Sequence, residues 1–244
     1  MDITTFSDIL KRACEQNSIS ELATPQACEH LFCLYEFLVS ENKKYNLTAI
    51  TEPEDVIYKH FVDSLLISQH IPENQSVIDV GCGAGFPSLP LAIARPDLKI
   101  TSLDSTNKKI TYIQLAAQRL GLENITAICG RAEEMARKAE YRDSFDISTA
   151  RAVANFPILC ELCLPFVRKN GMFLSMKGKY SESEFSISPS SVGQLSASTP
   201  IISTYSLVMP SSQEQRTLIK VNKIGKTIDN FPRKYAQITK KPLK

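Results

Sequence analysis

Over residues 1–70 apolar side chains recur at helical spacing, and beyond them the spacing changes to short β-type runs. Ile3, Phe6, Ile9, Leu10 and Ala13 share one helical face. Thr24 before Pro25 predicts an N-cap with proline at the first helical position, and Leu31, Leu34, Tyr35 and Leu38 extend the apolar stripe behind it. The polar and aromatic stretch NKKYNLTAI (42–50) interrupts the pattern, and Pro53 to Gln69 predicts another helix. From Val77 onward, strands are predicted at 77–80, 99–103, 125–129, 145–149 and 172–176, with helical stretches near 88–95, 107–120, 132–139 and 154–168. Such alternation implies a parallel sheet with helices on both faces. The Ser-rich stretch 181–198 reads as a loop or a weak helix, and 200–208 and 216–223 alternate as a final antiparallel pair. The expected fold is α/β, a mostly parallel seven-stranded Rossmann-like sheet. A helical N-terminal extension (1–70) precedes a core (71–230) and a basic C-terminal tail (231–244).

The first predicted strand runs into a loop with glycines at 81, 83 and 85, in VIDVGCGAGFPSLP (77–90). Glycines let a backbone approach a ligand closely, and the helix start that follows offers unpaired N–H groups. A dinucleotide fingerprint needs Gly-x-Gly-x-x-Gly, and here Phe86 stands where its third glycine belongs. With Asp79 two residues before Gly81, the pattern is instead similar to the first motif of class I S-adenosylmethionine (SAM) dependent methyltransferases. There an acid at the strand end can meet the methionine ammonium directly or through water. That likeness places Asp79, Gly81, Gly83, Gly85 and Phe86 at the cofactor. A second acid, Asp104, ends the strand KITSLD 23 residues after Gly81, where a carboxylate reaches ribose hydroxyls. Asp104, Ser105 and Thr106 are also good helix caps, so both roles stay open there. Ligands of open α/β sheets sit at the carboxyl ends of strands, where Gly81, Asp104, Gly130 to Glu133 and Arg151 all fall.

Composition narrows the classes. No run of eighteen apolar residues is present, so no membrane span is expected. The first residues lack the basic start and apolar stretch of a signal peptide. Seven scattered cysteines argue for reduced thiols in a cytoplasmic protein, with Cys160 and Cys163 read as core. His30, His60 and His70 show no metal spacing, and no metal is expected. Net charge is only +2, yet residues 216–244 hold nine basic residues and one acid. A net +8 there is the footprint of a polyanion partner, or else a solvated end. Phe231, Pro232 and Tyr235 among those charges favour a docked or base-stacking segment.

Nine ordered stretches then carry a family resemblance: NKKYNLTAI (42–50), KHFVDSLL (59–66), VIDVGCGAGFPSLPLAI (77–93), LDSTNKK (103–109), GRAEE (130–134), ARAVA (150–154), MKGK (176–179), RTLIKV (216–221) and FPRKYAQITKKPL (231–243). From about Glu41 onward the chain resembles the bacterial small-subunit (16S) ribosomal RNA guanine-N7 methyltransferases, also called glucose-inhibited division protein B. The resemblance implies a SAM-dependent enzyme that methylates N7 of one guanine in the decoding region of 16S ribosomal RNA in the small ribosomal subunit. It puts Gly81 and Phe86 in the cofactor loop, Asp104 at the ribose, Ala132 and Glu133 beside the adenosine, and Arg151 near the reaction centre. Two positions depart from the family pattern: Cys82 where Thr is common, and Ser88 where Gly is usual.

Guanine N7 is nucleophilic without losing a proton, so no general base is required. The absence of an Asn-Pro-Pro-Tyr type motif after the fourth strand agrees, since STARAVA (148–154) stands there. Catalysis reduces to alignment and exclusion of water. Asn46, His60 and Asp63 are candidates to hold the base, and Arg151 and Lys177 to clamp base or phosphates. Each has a structural alternative: a His60–Asp63 pair one turn apart, an Asn46 turn cap, an Arg151 bridge to Asp79 or Glu133. Competing functions are a SAM methyltransferase for another RNA or a protein, an NAD(P)-dependent oxidoreductase, and a non-catalytic RNA-binding assembly factor. A monomer is expected.

Overall fold

The computed structural model describes residues 1–151, 154–179 and 187–243. Seven strands form one sheet: β1 (Ser76–Val80), β2 (Lys99–Asp104), β3 (Ile125–Cys129), β4 (Phe145–Arg151), β5 (Val167–Lys177), β6 (Ile201–Met209) and β7 (Ser212–Asn222). Their order is β3-β2-β1-β4-β5-β7-β6. The first five are parallel, and β7 runs antiparallel to both neighbours. The strand order reverses beside β1, so the loops after β1 and β4 open toward one crevice.

Alternating side chains of β1 feed two apolar layers. Val77 joins Leu89, Leu91, Ile110 and Ile113 of the helices Ser88–Ala94 and Asn107–Leu120 on one face. Ile78 and Val80 join Phe156, Leu159 and Leu162 on the other. The N-terminal helices Ile3–Gln16 and Pro25–Tyr45 belong to the first layer rather than to a separate core. Phe6 packs on Phe32, Tyr35 and Phe61, and Phe37 stacks on Tyr112 at 5.4 Å. Thr24 caps its helix as expected, its hydroxyl accepting from the Ala27 N–H at 3.1 Å.

Three elements differ from the sequence pattern. The helix predicted from Pro53 to Gln69 runs to His70 but contains a π turn, Ile57–Val62. Such turns insert one extra residue and re-aim the side chains they carry. The helix predicted at 132–139 ends at Met135, where the Arg142 guanidinium takes the Ala136 carbonyl at 3.3 Å. The helix predicted at 154–168 stops at Cys163, because Pro165 cannot continue it, and β5 starts at Val167. Of the Ser-rich stretch, residues 181–186 lie outside the described residues, and Pro189–Gly193 is one short helical turn.

The tail is docked. Phe231, Ile238 and Leu243 are buried in the second layer. Burying each such side chain is worth about 1.5–3 kcal/mol, more than a solvated end would gain from its charges. Arg233 clasps the fully buried Glu161, its Nε donating at 2.8 Å and its own backbone N–H at 2.8 Å. Arg142 donates to the carbonyls of Thr227, Ile228 and Phe231. Lys223, fully buried, pairs with Asp143 at 2.8 Å. Among the described residues, no helix is long and apolar enough to cross a membrane.

Candidate active site

At the carboxyl ends of β1, β2 and β3 lies a cavity of about 460 Å³, walled among others by Gly81, Gly83, Asp104, Gly130, Ala132, Glu133 and Arg151. Gly81, Gly83 and Gly85 all take positive φ, +76°, +59° and +83°. The Gly83 N–H donates to Asp104 Oδ2 at 3.1 Å, and Asp104 Oδ1 accepts the Thr106 N–H at 2.8 Å. Asp104 therefore anchors the glycine loop, turns the chain toward the next helix and faces the cavity, while the N-cap of that helix is Thr106, whose side chain makes no capping bond. Lys109 stands 3.6 Å from the same carboxylate.

The other loop residues sit behind this wall. A Cβ on Gly85 would lie 2.5 Å from Leu89 Cδ1, so Gly85 serves helix–strand packing and does not line the cavity. Asp79 is fully buried, and burial pushes its carboxyl up to about 7. Its Oδ2 accepts the Ser88 N–H at 3.3 Å, while Oδ1 and the Ser88 hydroxyl have no hydrogen-bond partner among the described residues. Phe86, also buried, is a platform: the His60 ring stacks on it at 4.4 Å and the Arg151 guanidinium lies 5.3 Å from its centroid.

Arg151 also borders a second cavity of about 310 Å³, lined by Lys59, His60, Asp63, Met176, Lys177, Gly178, Tyr205 and Arg216. The π turn brings Lys59 and His60 here, β5 brings Met176 and Lys177, and the β6–β7 hairpin brings Tyr205 opposite Arg216. Asp63 holds two guanidinium groups, Arg151 at 3.2 Å and Arg216 at 2.8 Å. It does not pair with His60, and the ion pair of Arg151 is with Asp63 rather than Asp79 or Glu133. Arg151 further donates to the Lys59 carbonyl at 3.2 Å and to His60 Nδ1 at 3.4 Å. Because arginine can only donate, His60 is neutral with its proton on Nε2, 2.8 Å from the Thr48 hydroxyl. Burial, and then the Arg151 charge, lower its pKa to about 4. Lys177 donates to the Ala154 carbonyl. Four cationic side chains and one carboxylate line this cavity, and Asp55 on Lys59 at 2.7 Å and Glu214 on Arg216 at 2.9 Å offset part of that positive charge.

Asn46 lies elsewhere. It is exposed, in the left-handed conformation (φ +52°) that ends the helix Pro25–Tyr45. The turn before Leu47 is capped by Asn42, whose Oδ1 accepts the Leu47 N–H at 2.6 Å. Sequence reasoning missed Lys59, Tyr205 and Arg216. Only RTLIKV (216–221) carried a hint of the last. Arg131 and Tyr235 also line the first cavity; the sequence had them only as part of the 130–133 strand end and of the aromatic basic tail.

The first cavity suits a nucleoside carrying an amino-acid arm. A Cβ at Gly83 would meet nothing nearer than the Gly81 carbonyl at 4.0 Å, so that side of the loop is kept open. The carboxylates of Asp104 and Glu133 accept hydroxyl and amine protons, and Leu103, Ala132 and Leu162 supply apolar surface. Sheet order and cradle together define a methyltransferase of the Rossmann-like class that uses SAM. The fold alone is shared with the YcgJ protein of Bacillus subtilis (TM-score 0.51, 16% identity, 68% of this chain and 99% of that one) and with a putative transferase of Pyrococcus horikoshii (TM-score 0.53, 9% identity, 67% and 63%).

Residues 27–208 match the rRNA small subunit methyltransferase G family (GidB). The chain is 40% identical over 242 residues to the ribosomal RNA small subunit methyltransferase G of Clostridium perfringens strain 13, covering 98% of this chain and 99% of that protein. To the protein of the same name from Bacillus subtilis strain 168 it is 39% identical over 222 residues, 90% and 92% of the two chains. The chain belongs to this family. The oxidoreductase alternative falls with that assignment.

Proposed function

We propose that the chain transfers a methyl group from SAM to N7 of one guanine in 16S ribosomal RNA of the small subunit, acting as a cytoplasmic monomer. The observation that carries the reading is the junction at Arg151, the one described residue common to the walls of the two cavities. The first cavity holds the cofactor, with Asp104 at the ribose hydroxyls, Ala132 and Glu133 beside the adenosine, and Gly81 and Gly83 giving close backbone approach. Bound there, SAM supplies an electrophilic methyl group on a sulfonium.

The second cavity receives the guanine. The Hoogsteen edge of guanine presents two acceptors, O6 and N7. A donor placed on N7 would occupy the lone pair that must attack, so the cations of this cavity serve O6 and the flanking phosphates. A proton on His60 Nδ1 would displace the Arg151 guanidinium that donates there, and Asp63 is held by two arginines. Neither is a general base, which suits a nucleophile that has no proton to lose. Asp63, His60 and Phe86 act instead on Arg151, fixing its fork in one orientation at the junction. Lys59, Lys177 and Arg216 attract the polyanion. The major groove of A-form RNA is too narrow for this contact, so the target base is presented from a loop or flipped out. The test is transfer of labelled methyl to small subunits lacking the modification, with the product nucleoside identified by mass spectrometry. One N7-methylguanosine per small-subunit RNA is the expected product. Transfer to another atom or another base would overturn the assignment.

A further inference from the structure

Three of the nine cations counted between residues 216 and 244 are tied to carboxylates elsewhere in the chain: Arg216 to Asp63, Lys223 to Asp143 and Arg233 to Glu161. The segment is thus less a free polycation than a docked element with a defined position. That position brings Tyr235 to the rim of the first cavity, where it lines the wall with Gly130, Arg131, Ala132 and Glu133. We propose that Tyr235, delivered by the docked C-terminal segment, stacks on the adenine ring of SAM and completes the cofactor cavity. The inference rests on the reading of that cavity as the cofactor site.

The geometry supports it from three sides. The Arg131 guanidinium lies 5.3 Å from the centroid of the Tyr235 ring, which steadies the ring. Tyr235 is 39% exposed as a residue, although Phe231 and Ile238 on either side of it in sequence are buried. Its backbone is held just upstream by Arg137 on the Pro232 carbonyl at 2.6 Å and by Arg233 on Glu161. Glu161 and the cavity-lining Leu162 are adjacent on one helix, so the clasp that docks the segment is built into the cavity floor. An aromatic face stacks on any purine, so an RNA base is the competing occupant. The place of Tyr235 in the wall that also holds Asp104 and Glu133 favours adenine. A segment read as an independent RNA-binding tail would leave SAM affinity untouched when removed, whereas loss of residues 231–244 here costs cofactor affinity too.

Calorimetric titration of the full chain with SAM and with 5′-methylthioadenosine tests the proposal. Tyr235→Ala should weaken both ligands in parallel by about tenfold, with the KM for SAM rising in step, and Tyr235→Phe should restore them. RNA affinity should stay at the parent level. Unchanged SAM affinity in Tyr235→Ala, with weakened RNA binding, would assign the ring to an RNA base and overturn the proposal. Gly83→Val separates the two levels, because it fills the cradle without touching Tyr235. If Gly83→Val abolishes SAM binding while Tyr235→Ala does not, the cofactor site stands and the stacking role falls. If Gly83→Val binds SAM normally, the site assignment itself falls, and the proposal with it.

Discussion

The first cavity takes most of its wall from loops that each follow one strand of a β-α repeat, whereas the second cavity is assembled from four distant segments. Gly81 and Gly83 follow β1, Asp104 ends β2, and Ala132 and Glu133 follow β3. Around Asp63, by contrast, meet a π turn, the end of β4, the end of β5 and a hairpin 153 residues downstream of Asp63. The first wall is local, and its geometry is set by turn chemistry. The second is tertiary, and its geometry is set by ion pairs that exist only when the whole sheet is built. A perturbation far from either cavity should therefore loosen the second before the first.

The largest expected effect breaks the docking on which both sides of the comparison depend. Arg233→Ala leaves the Glu161 carboxylate buried without its cation, a loss of about 3–5 kcal/mol in urea unfolding. Substituting Lys240 and Lys241, which carry no such clasp, should change stability by less than about 0.5 kcal/mol. Equal effects would show that the tail is held by apolar contacts alone.

Next, Arg151→Ala should lower single-turnover methyl transfer about 100-fold, and Arg151→Lys should recover little, because a point charge does not reproduce the fork held by Asp63. Full recovery by lysine would mean that only charge matters at the junction.

The pH dependence sharpens the contrast between the two walls. His60 is held near 4 in the fold, below its ordinary value of 6.5, so the unfolded chain binds a proton that the native one refuses. Its contribution is neutral above about pH 6.5, and stability is lost as pH falls toward 4, by about 2 kcal/mol at pH 5. Asp79 has the opposite sign. Its carboxyl is raised to about 7, so the native chain holds the extra proton and stability is lost as pH rises from about 4 to 7. In denaturant titrations, His60→Gln should gain on the parent at pH 5 relative to pH 8, and Asp79→Asn should gain at pH 8 relative to pH 5. A parallel shift of both variants would contradict this assignment of protons.

The smallest effect is the most selective. Arg216→Ala should weaken RNA binding about tenfold and reduce its salt slope by about one, with SAM affinity unchanged. A matching loss of SAM affinity would mean that the cavities are not separable.

Legibility in the sequence follows the same division. Strand–loop–helix repeats showed in the hydrophobic period, and with them the sheet, its strand ends and Gly81, Asp104, Ala132 and Glu133. Gly85 and Phe86 were visible as a motif but not in their positions, since a sequence cannot tell a glycine facing a ligand from one facing Leu89. Asn46 looked like a polar contact because a left-handed helix end and a binding residue favour the same side chain. The π turn left no trace in the apolar spacing, and Arg216 stood in a strand that reads as an ordinary edge hairpin. Charge counting took the tail for a polycation, because partners such as Asp63, Asp143 and Glu161 are 72 to 153 residues away.

The most direct measurement is a crystal structure of the chain grown with S-adenosylhomocysteine. The predicted result is one molecule in the larger cavity, its ribose at Asp104, its adenine between Glu133 and Tyr235, and its sulfur toward Arg151. S-adenosylhomocysteine bound among Lys59, Asp63 and Arg216 instead would contradict the division into cofactor and substrate cavities.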